Sequence, residues 1–242
     1  MSPLPDDLKP IFAQSPLEIK GQFMSGSNYT FLVNLVQGGP ALQAVYKPIQ
    51  GERPLWDFPE NSLAGREVAA YLVSEALGWS LVPYTILRQD GPYGPGSLQE
   101  YIEYNPDYHY FNFKSADKER LRPAALFDHL VNNADRKGSH VILEKGTRHL
   151  YIIDHGLCFH EEEKLRTVIW DFAGEAIPTE LLTALEHLRA ELKPGSSLAT
   201  ALLAYLSPDE ISALDFRAET LLAAGKFPQP PGNRRPYPYP LL

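Results

Sequence analysis

The pattern of apolar and polar positions reads as strand over residues 17–23 (LEIKGQF) and 29–35 (YTFLVNL), and residues 42–47 (LQAVYK) make a third strand, alternating and rich in β-formers. Such alternation is the signature of strands that bury one face. Turns are predicted between them at residues 24–28 (MSGSN) and 37–40 (QGGP). A polar, proline-bearing loop follows over residues 49–60, and then the period changes. Leu63, Val68, Tyr71, Leu72, Ala76 and Leu77 form one apolar helical face; Asn61 or Ser62 stands where an N-cap belongs, and Gly78 where a helix stops. Strands are predicted again at residues 82–87 and 97–104, around the turn Gly91-Pro92-Tyr93-Gly94-Pro95-Gly96. Residues 17–104 therefore read as β-β-β-α-β-β.

The rest of the chain is mostly helical in pattern. Helices are predicted at residues 121–132, 179–192, 197–206 and 208–224, and a short hairpin pairs residues 141–143 with 150–153 around Lys145-Gly146. The expected organisation is an irregular arm (1–16), a β-rich lobe with one helix (17–104), an α-rich lobe (105–226) and a proline-rich tail (227–242), extended or disordered. The class is α+β, with a site between the lobes.

Composition narrows the classes of function. The 242 residues are 44% hydrophobic and 21% charged, as in an ordinary soluble globular protein. A net charge of −8 gives no electrostatic footprint for nucleic acid. No apolar run approaches the roughly 20 residues needed to span a bilayer. The first ten residues, MSPLPDDLKP, lack the basic and apolar regions of a signal peptide. The single cysteine, Cys158, excludes an intramolecular disulfide and reads as a small buried hydrophobe. A cytoplasmic location is the resulting expectation.

The chemistry concentrates in residues 127–159. Asp135 lies in a polar loop, NNADRKGSH, and Asp154 follows the apolar run 150–153, nineteen residues later. An aspartate that ends a buried strand needs a partner, and a cation is a good one. An Asx-type turn also accounts for parts of the Asp135 loop. Lys47 ends an apolar strand; a snorkelling surface lysine is one reading. The other pairs it with Glu67 on the following helix, or with Glu75 two turns on, as a strand lysine and helix glutamate pair in kinases. His129 (beside Asp128), His140, His149, His155 and His160 also admit a metal-hydrolase reading, although their spacings match no zinc pattern. Glu161, Glu162 and Glu163 read as a solvated turn.

In order along the chain stand SGSNYTFLV, AVYKP, GREVAAYLVSEALGWSLVPYT, GSLQEYI, NNADRKGSH and YIIDHGLCF. Over residues 17–175 this series resembles the phosphatidylinositol 3-/4-kinase-like branch of the protein-kinase-like fold, particularly type II phosphatidylinositol 4-kinases. It looks more similar still to a compact bacterial family of that superfamily, the SCO1664-like proteins. The resemblance implies a two-lobed fold that binds ATP with Mg²⁺ or Mn²⁺ and transfers the γ-phosphoryl group to a hydroxyl. It implies that Ser25, Gly26, Ser27 and Asn28 form a phosphate loop, that Lys47 holds the α- and β-phosphates and that Glu67 braces it. Gln99, Glu100, Tyr101 and Ile102 become the hinge that reads the adenine, Asp135 the catalytic aspartate, and His140 and Asp154 the metal positions. His140 departs from the asparagine common in kinases. The lipid-kinase substrate segments have no counterpart after Phe159, so the expected acceptor is a protein or small molecule. A nucleotide-binding pseudokinase, acting as scaffold or sensor, is the alternative.

Overall fold

The computed structural model describes residues 6, 9–23, 28–36 and 42–242. Ser25, Gly26 and Ser27 of the expected phosphate loop lie outside the described residues, and Asn28 lies within them. Five strands, β1 (Leu17–Gln22), β2 (Phe31–Leu35), β3 (Leu42–Pro48), β4 (Thr85–Gly91) and β5 (Gly94–Glu100), form an antiparallel sheet in the order β1-β2-β3-β5-β4. In β2 alternation does what it predicts: Phe31, Val33 and Leu35 are buried, while Leu32 and Asn34 are half-buried. In β1 it does not: Leu17 is half-buried and Glu18 to Gln22 are exposed, because this edge strand has no layer packed on either face. The buried set of β2 packs with Phe12, Ala44, Tyr46 and Leu98.

Three predicted features shift. The arm contains a short helix, α1 (Lys9–Gln14), whose Phe12 enters that cluster. Arg88 fastens it by donating from Nη1 to the carbonyls of Phe12 (2.7 Å) and Ser15 (3.1 Å). Six residues are too few for periodicity to reveal it. The expected turn at residues 91–96 shrinks to Pro92-Tyr93, and Gly94 and Gly96 belong to β5. Glycine is needed there because the Tyr46 ring lies across the strand: a Cβ on Gly96 would fall 2.7 Å from Tyr46 Cε2. β4 starts at Thr85 rather than residue 82, since Leu81 and Val82 are packed into the core of the helical half.

The helix α2 (Leu63–Ala76) ends as expected, with Gly78 at φ +67°. Its start differs. Neither Asn61 nor Ser62 caps it; the Glu52 carboxylate accepts the amides of Leu63 (3.1 Å) and Ala64 (2.8 Å). An acidic group at a helix N-terminus serves as well, whatever its distance in sequence. Both sides of α2 are buried, including Arg66 and Glu67. Ala69, Ala70 and Val73 join one core with residues of the helical half.

That half comprises α3 (Ser115–Lys118), α4 (Arg122–Val131), the hairpin β6 (Val141–Leu143) and β7 (Leu150–Ile152), α5 (Thr179–Glu191), α6 (Ser197–Leu202) and α7 (Pro208–Ala224). Asn132 closes α4 in the left-handed conformation, φ 56°. The predicted helix 197–206 stops at Leu202. A Ser207/Glu210 capping box starts α7. Glu210 also accepts a hydrogen bond from Arg66 Nη2, and Arg66 Nη1 donates to Cys158 O at 2.6 Å, so α2 is bolted to α7 and to the chain after β7. Among the described residues, no helix is long and apolar enough to cross a membrane.

The Arg66–Glu210 pair is buried on both sides. Removing one partner leaves a charge without compensation, at a cost of about 3–5 kcal/mol. Glu210→Ala should therefore lower the unfolding free energy by that amount in urea titration. Arg66→Met/Glu210→Met should lose much less, and equal losses in the two variants would show that packing volume, not charge, dominates.

Candidate functional site

Lys47 sits at the end of β3, opposite Ser97 of β5. Its Nζ donates to Glu67 Oε1 of α2 and, at 2.9 Å, to Asp154 Oδ1 just beyond β7. Burial alone would drive the ammonium pKa down, but the carboxylates of Asp154 and Glu67 outweigh it and hold the pKa raised. Asp154 is the mirror case. Burial pushes its pKa up, yet Lys47, with lesser help from His140, holds it far below the carboxylate range. Its side chain is nonetheless 47% exposed, because it faces the water of the cleft. Its backbone is left-handed, φ 65°, which turns the carboxylate back toward the sheet. Glu67 is held from the other side as well, since Oε2 accepts the His155 amide at 3.0 Å. Glu75, the rival partner, is absent from this group.

These residues line one cavity of about 290 Å³. Val45, Ile102, Ile142 and Ile153 give it apolar walls, and Lys47, Glu67, Asp135, His140 and Asp154 gather at its polar end. An apolar slot ending in convergent charges suits a flat base attached to an anion. His140 is brought beside Asp154 because its carbonyl accepts the Ile153 amide at 3.0 Å. His140 Nε2 lies 3.3 Å from Asp154 Oδ2. Burial lowers the His140 pKa to about 4, against the pull of Asp154, so the ring is neutral at pH 7. Its Nδ1 is buried without a hydrogen-bond partner. A neutral imidazole and a carboxylate are a fitting donor pair for a divalent cation, and Mn²⁺ accepts nitrogen more readily than Mg²⁺ does.

Asp135 occupies the same cavity on the loop after α4. Asn133 Oδ1 accepts its amide at 2.9 Å, and Lys137 Nζ lies 3.0 Å from its Oδ2. Burial raises its pKa and Lys137 opposes the rise. Arg136 does not face the cleft. It is fully buried, donates through Nε to both oxygens of Asp128 (3.0 and 3.1 Å) and through Nη1 to Ile153 O at 2.5 Å. Thr167 Oγ1 donates to Asp128 Oδ2 at 2.9 Å. Arg136 Nη2 also donates to His155 Nε2 at 2.8 Å, which places the ring proton on Nδ1. This network ties the Asp135 loop to the chain leading into Asp154. The adjacency of Arg136 to Asp135 was the only hint of it in the sequence.

The expected hinge lies along the cavity, with a refinement. Gln99 is buried and spends its side chain on Thr85 Oγ1 (2.9 Å). The amides of Glu100 and Tyr101 are committed to Tyr84 O (2.8 Å) and Gln43 O (3.2 Å). A base would therefore have to be read by the remaining backbone groups of residues 100–102. Asn28 Oδ1 accepts the Arg53 amide at 2.9 Å, so that oxygen fastens two loops together. Glu52 also lines the cavity, and nothing in its loop marks it in advance. The other histidines disperse. His149 contacts Ser80 O, His160 contacts Asp57 O, and His129 packs edge-on to Trp170. Among the described residues, no three His, Cys, Asp or Glu converge on a common metal position.

The five-stranded antiparallel sheet, the helix carrying Glu67 and the two aspartates beneath them define a protein-kinase-like fold of mixed α+β class. The Golgi casein kinase with Mn/ADP bound superposes with a TM-score of 0.55 at 15% identity, over 90% of this chain and 74% of that one. Hydra Fam20 with sugar gives 0.55 at 16% identity, over 89% and 87%. The Helicobacter pylori proinflammatory kinase CtkA gives 0.52 at 11% identity, over 89% and 94%. No family model matches the chain. By sequence, the chain belongs to the family of Protein Rv2133c of Mycobacterium tuberculosis (strain ATCC 25618 / H37Rv), with which it is 42% identical over an alignment 272 positions long, gaps included, that covers 98% of this chain and 96% of that protein.

Within the expected hinge, burial raises the Glu100 carboxyl to about 7 from an ordinary 4.5, and the charge of Glu144 adds to the rise. The folded state holds this proton more tightly than the unfolded chain does. Stability from this group is thus lost as pH climbs from 4.5 to about 7, and stays lost above that. Glu100→Gln should raise the melting temperature at pH 8 and not at pH 4. An equal change at both pH values would remove the charge as its cause.

Proposed function

We propose that the chain is an ATP- and divalent-metal-dependent phosphotransferase that moves the γ-phosphoryl group to a hydroxyl of a protein or small molecule. The observation that carries this reading is the single ammonium of Lys47 bonded to both Glu67 and Asp154 in a cavity that also holds Asp135. The fold neighbours are kinases, and one of them holds Mn and ADP. The order of motifs further supports a place in the phosphatidylinositol 3-/4-kinase-like branch.

Lys47 offers its charge to phosphate oxygens, while Glu67 fixes its direction and the raised pKa keeps it protonated. Asp154, with the neutral ring of His140 beside it, would hold a divalent cation, which when bound offsets phosphate charge. Asp135 orients the acceptor hydroxyl and takes its proton as the new O–P bond forms and the bond to the ADP oxygen breaks. Ordering of these groups before substrate arrives is the main catalytic contribution available here. The histidine at position 140 favours one other reading, a nucleotide-binding pseudokinase. The two separate on turnover.

Lys47→Ala should weaken ATP binding by roughly tenfold or more while the fold persists; unchanged affinity in calorimetry would remove Lys47 from the phosphate site. Asp135→Ala should spare ATP affinity and cut phosphoryl transfer or ATP hydrolysis by roughly 10²–10⁴. Wild-type ATP binding with no turnover in any metal would instead establish the pseudokinase reading. The raised pKa of Asp135 places the acid limb of the pH–kcat/KM profile above the ordinary aspartate range of about 3.9. Lys137→Ala removes the opposing charge and should move that limb higher still; a downward move would reassign the base.

A further inference from the structure

The proline-rich tail runs across the catalytic half of the molecule. Phe227 is buried and exchanges backbone hydrogen bonds with Glu175 and Gly174, both at 2.9 Å. Arg234 donates to Leu165 O at 2.9 Å and to Glu163 Oε1 at 2.7 Å. Pro236 O accepts the Thr167 amide at 3.0 Å and the Trp170 indole at 3.3 Å. Leu241 O accepts the Gly138 amide at 2.8 Å. At Gly138 the approach is so close that a Cβ would fall 2.7 Å from Phe111 and 3.3 Å from Leu242.

The segment that the tail covers is the one that holds the Asp135 loop. Arg136 donates its amide to Arg166 O (3.0 Å) and accepts from Val168 (3.2 Å), and Arg166 donates to Asn133 O (2.9 Å) and, through Nε, to Ala134 O (2.7 Å). Residues 165–168 are therefore a middle layer, with the Asp135 loop on one side and the tail on the other. Gly138 brings the tail into direct contact with the loop, three residues past Asp135. Proline suits this position, since it keeps the tail extended at low entropic cost and leaves its carbonyls free to accept.

We propose that residues 227–242 are an intramolecular strap that positions the Asp135 loop for catalysis. In many kinases the segment after the metal-binding aspartate is ordered by added phosphate; here the chain's own tail does it. No residue of the strap lines the cavity that holds Lys47, Asp135 and Asp154, so its residues are positioning residues. The inference rests on the phosphotransfer reading for its rate effect and not for its contacts.

The test compares the full chain with a truncation lacking residues 236–242, with and without an added synthetic peptide of residues 227–242. Amide exchange at Gly138 and Thr167, Mn-ADP affinity and ATP hydrolysis are followed. Truncation should expose both amides, leave ADP affinity within about twofold and cut hydrolysis roughly tenfold or more. The peptide should restore hydrolysis saturably, and a scrambled one should not. Full hydrolysis with both amides exposed overturns the strap. If the truncated chain does not fold, Arg234→Ala in the full chain must show the same split between affinity and rate; exposed amides with an unchanged rate again overturn it. A full chain that binds ADP but hydrolyses no ATP, or binds no ADP, defeats the phosphotransfer reading and the positioning role with it, while the amide protection of the full chain still reports the contact separately.

Discussion

A single half-buried ammonium governs the arrangement of this protein. Lys47 loses much of its hydration at the end of β3, and that is tolerable only because two carboxylates meet it. Each carboxylate comes from a different element: Glu67 from α2, which bridges sheet and helices, and Asp154 from the chain after β7. The pairing therefore fixes three elements relative to one another at the floor of the cleft. It also leaves the Lys47 ammonium, together with Lys137, facing a space lined by Asp135 and Asp154, where a polyanion would otherwise be repelled.

The surrounding structure holds that pairing from several directions. α2 buries both of its sides, through Ala69, Ala70 and Val73 into the helical core and through Arg66 onto Glu210. Glu52 seals its first turn. Below the cleft, the Asp128–Arg136–Thr167 network joins the Asp135 loop to the carbonyl just before Asp154. A swing of α2, or a shift of the Asp135 loop, would leave a buried charge without its partner. The geometry is thus set by the fold before any ligand arrives, which is the condition for electrostatic catalysis without reorganisation.

Much of this was legible in the sequence, for identifiable reasons. Strand-forming runs marked β1, β2 and β3, with alternation in β3, and the apolar positions and Gly78 marked α2. Lys47, Glu67, Asp135, His140 and Asp154 could be singled out by type and order, and the structure brings all five to one cavity. What escaped depends on distant partners. Glu52 became a helix cap across eleven residues, and Asp128, which looked like part of a His/Asp cluster, became the counter-ion of Arg136. The glycines of residues 91–96 read as a turn because their reason, the Tyr46 ring, lies on another strand. The tail gave no periodic signal because its bonds run mainly to the backbone of residues 138–175, and composition alone does not locate such partners.

The central claim is that the Lys47–Glu67–Asp154 cavity binds a nucleotide together with a divalent cation. Melting temperature with and without ATP, in Mg²⁺, Mn²⁺ or EDTA, tests it most directly, because a ligand of the native state stabilises it by about 2.7 kcal/mol at a hundredfold excess over Kd. The account predicts a rise that requires ATP and metal together and is larger with Mn²⁺ than with Mg²⁺. No rise with ATP in any metal would contradict it.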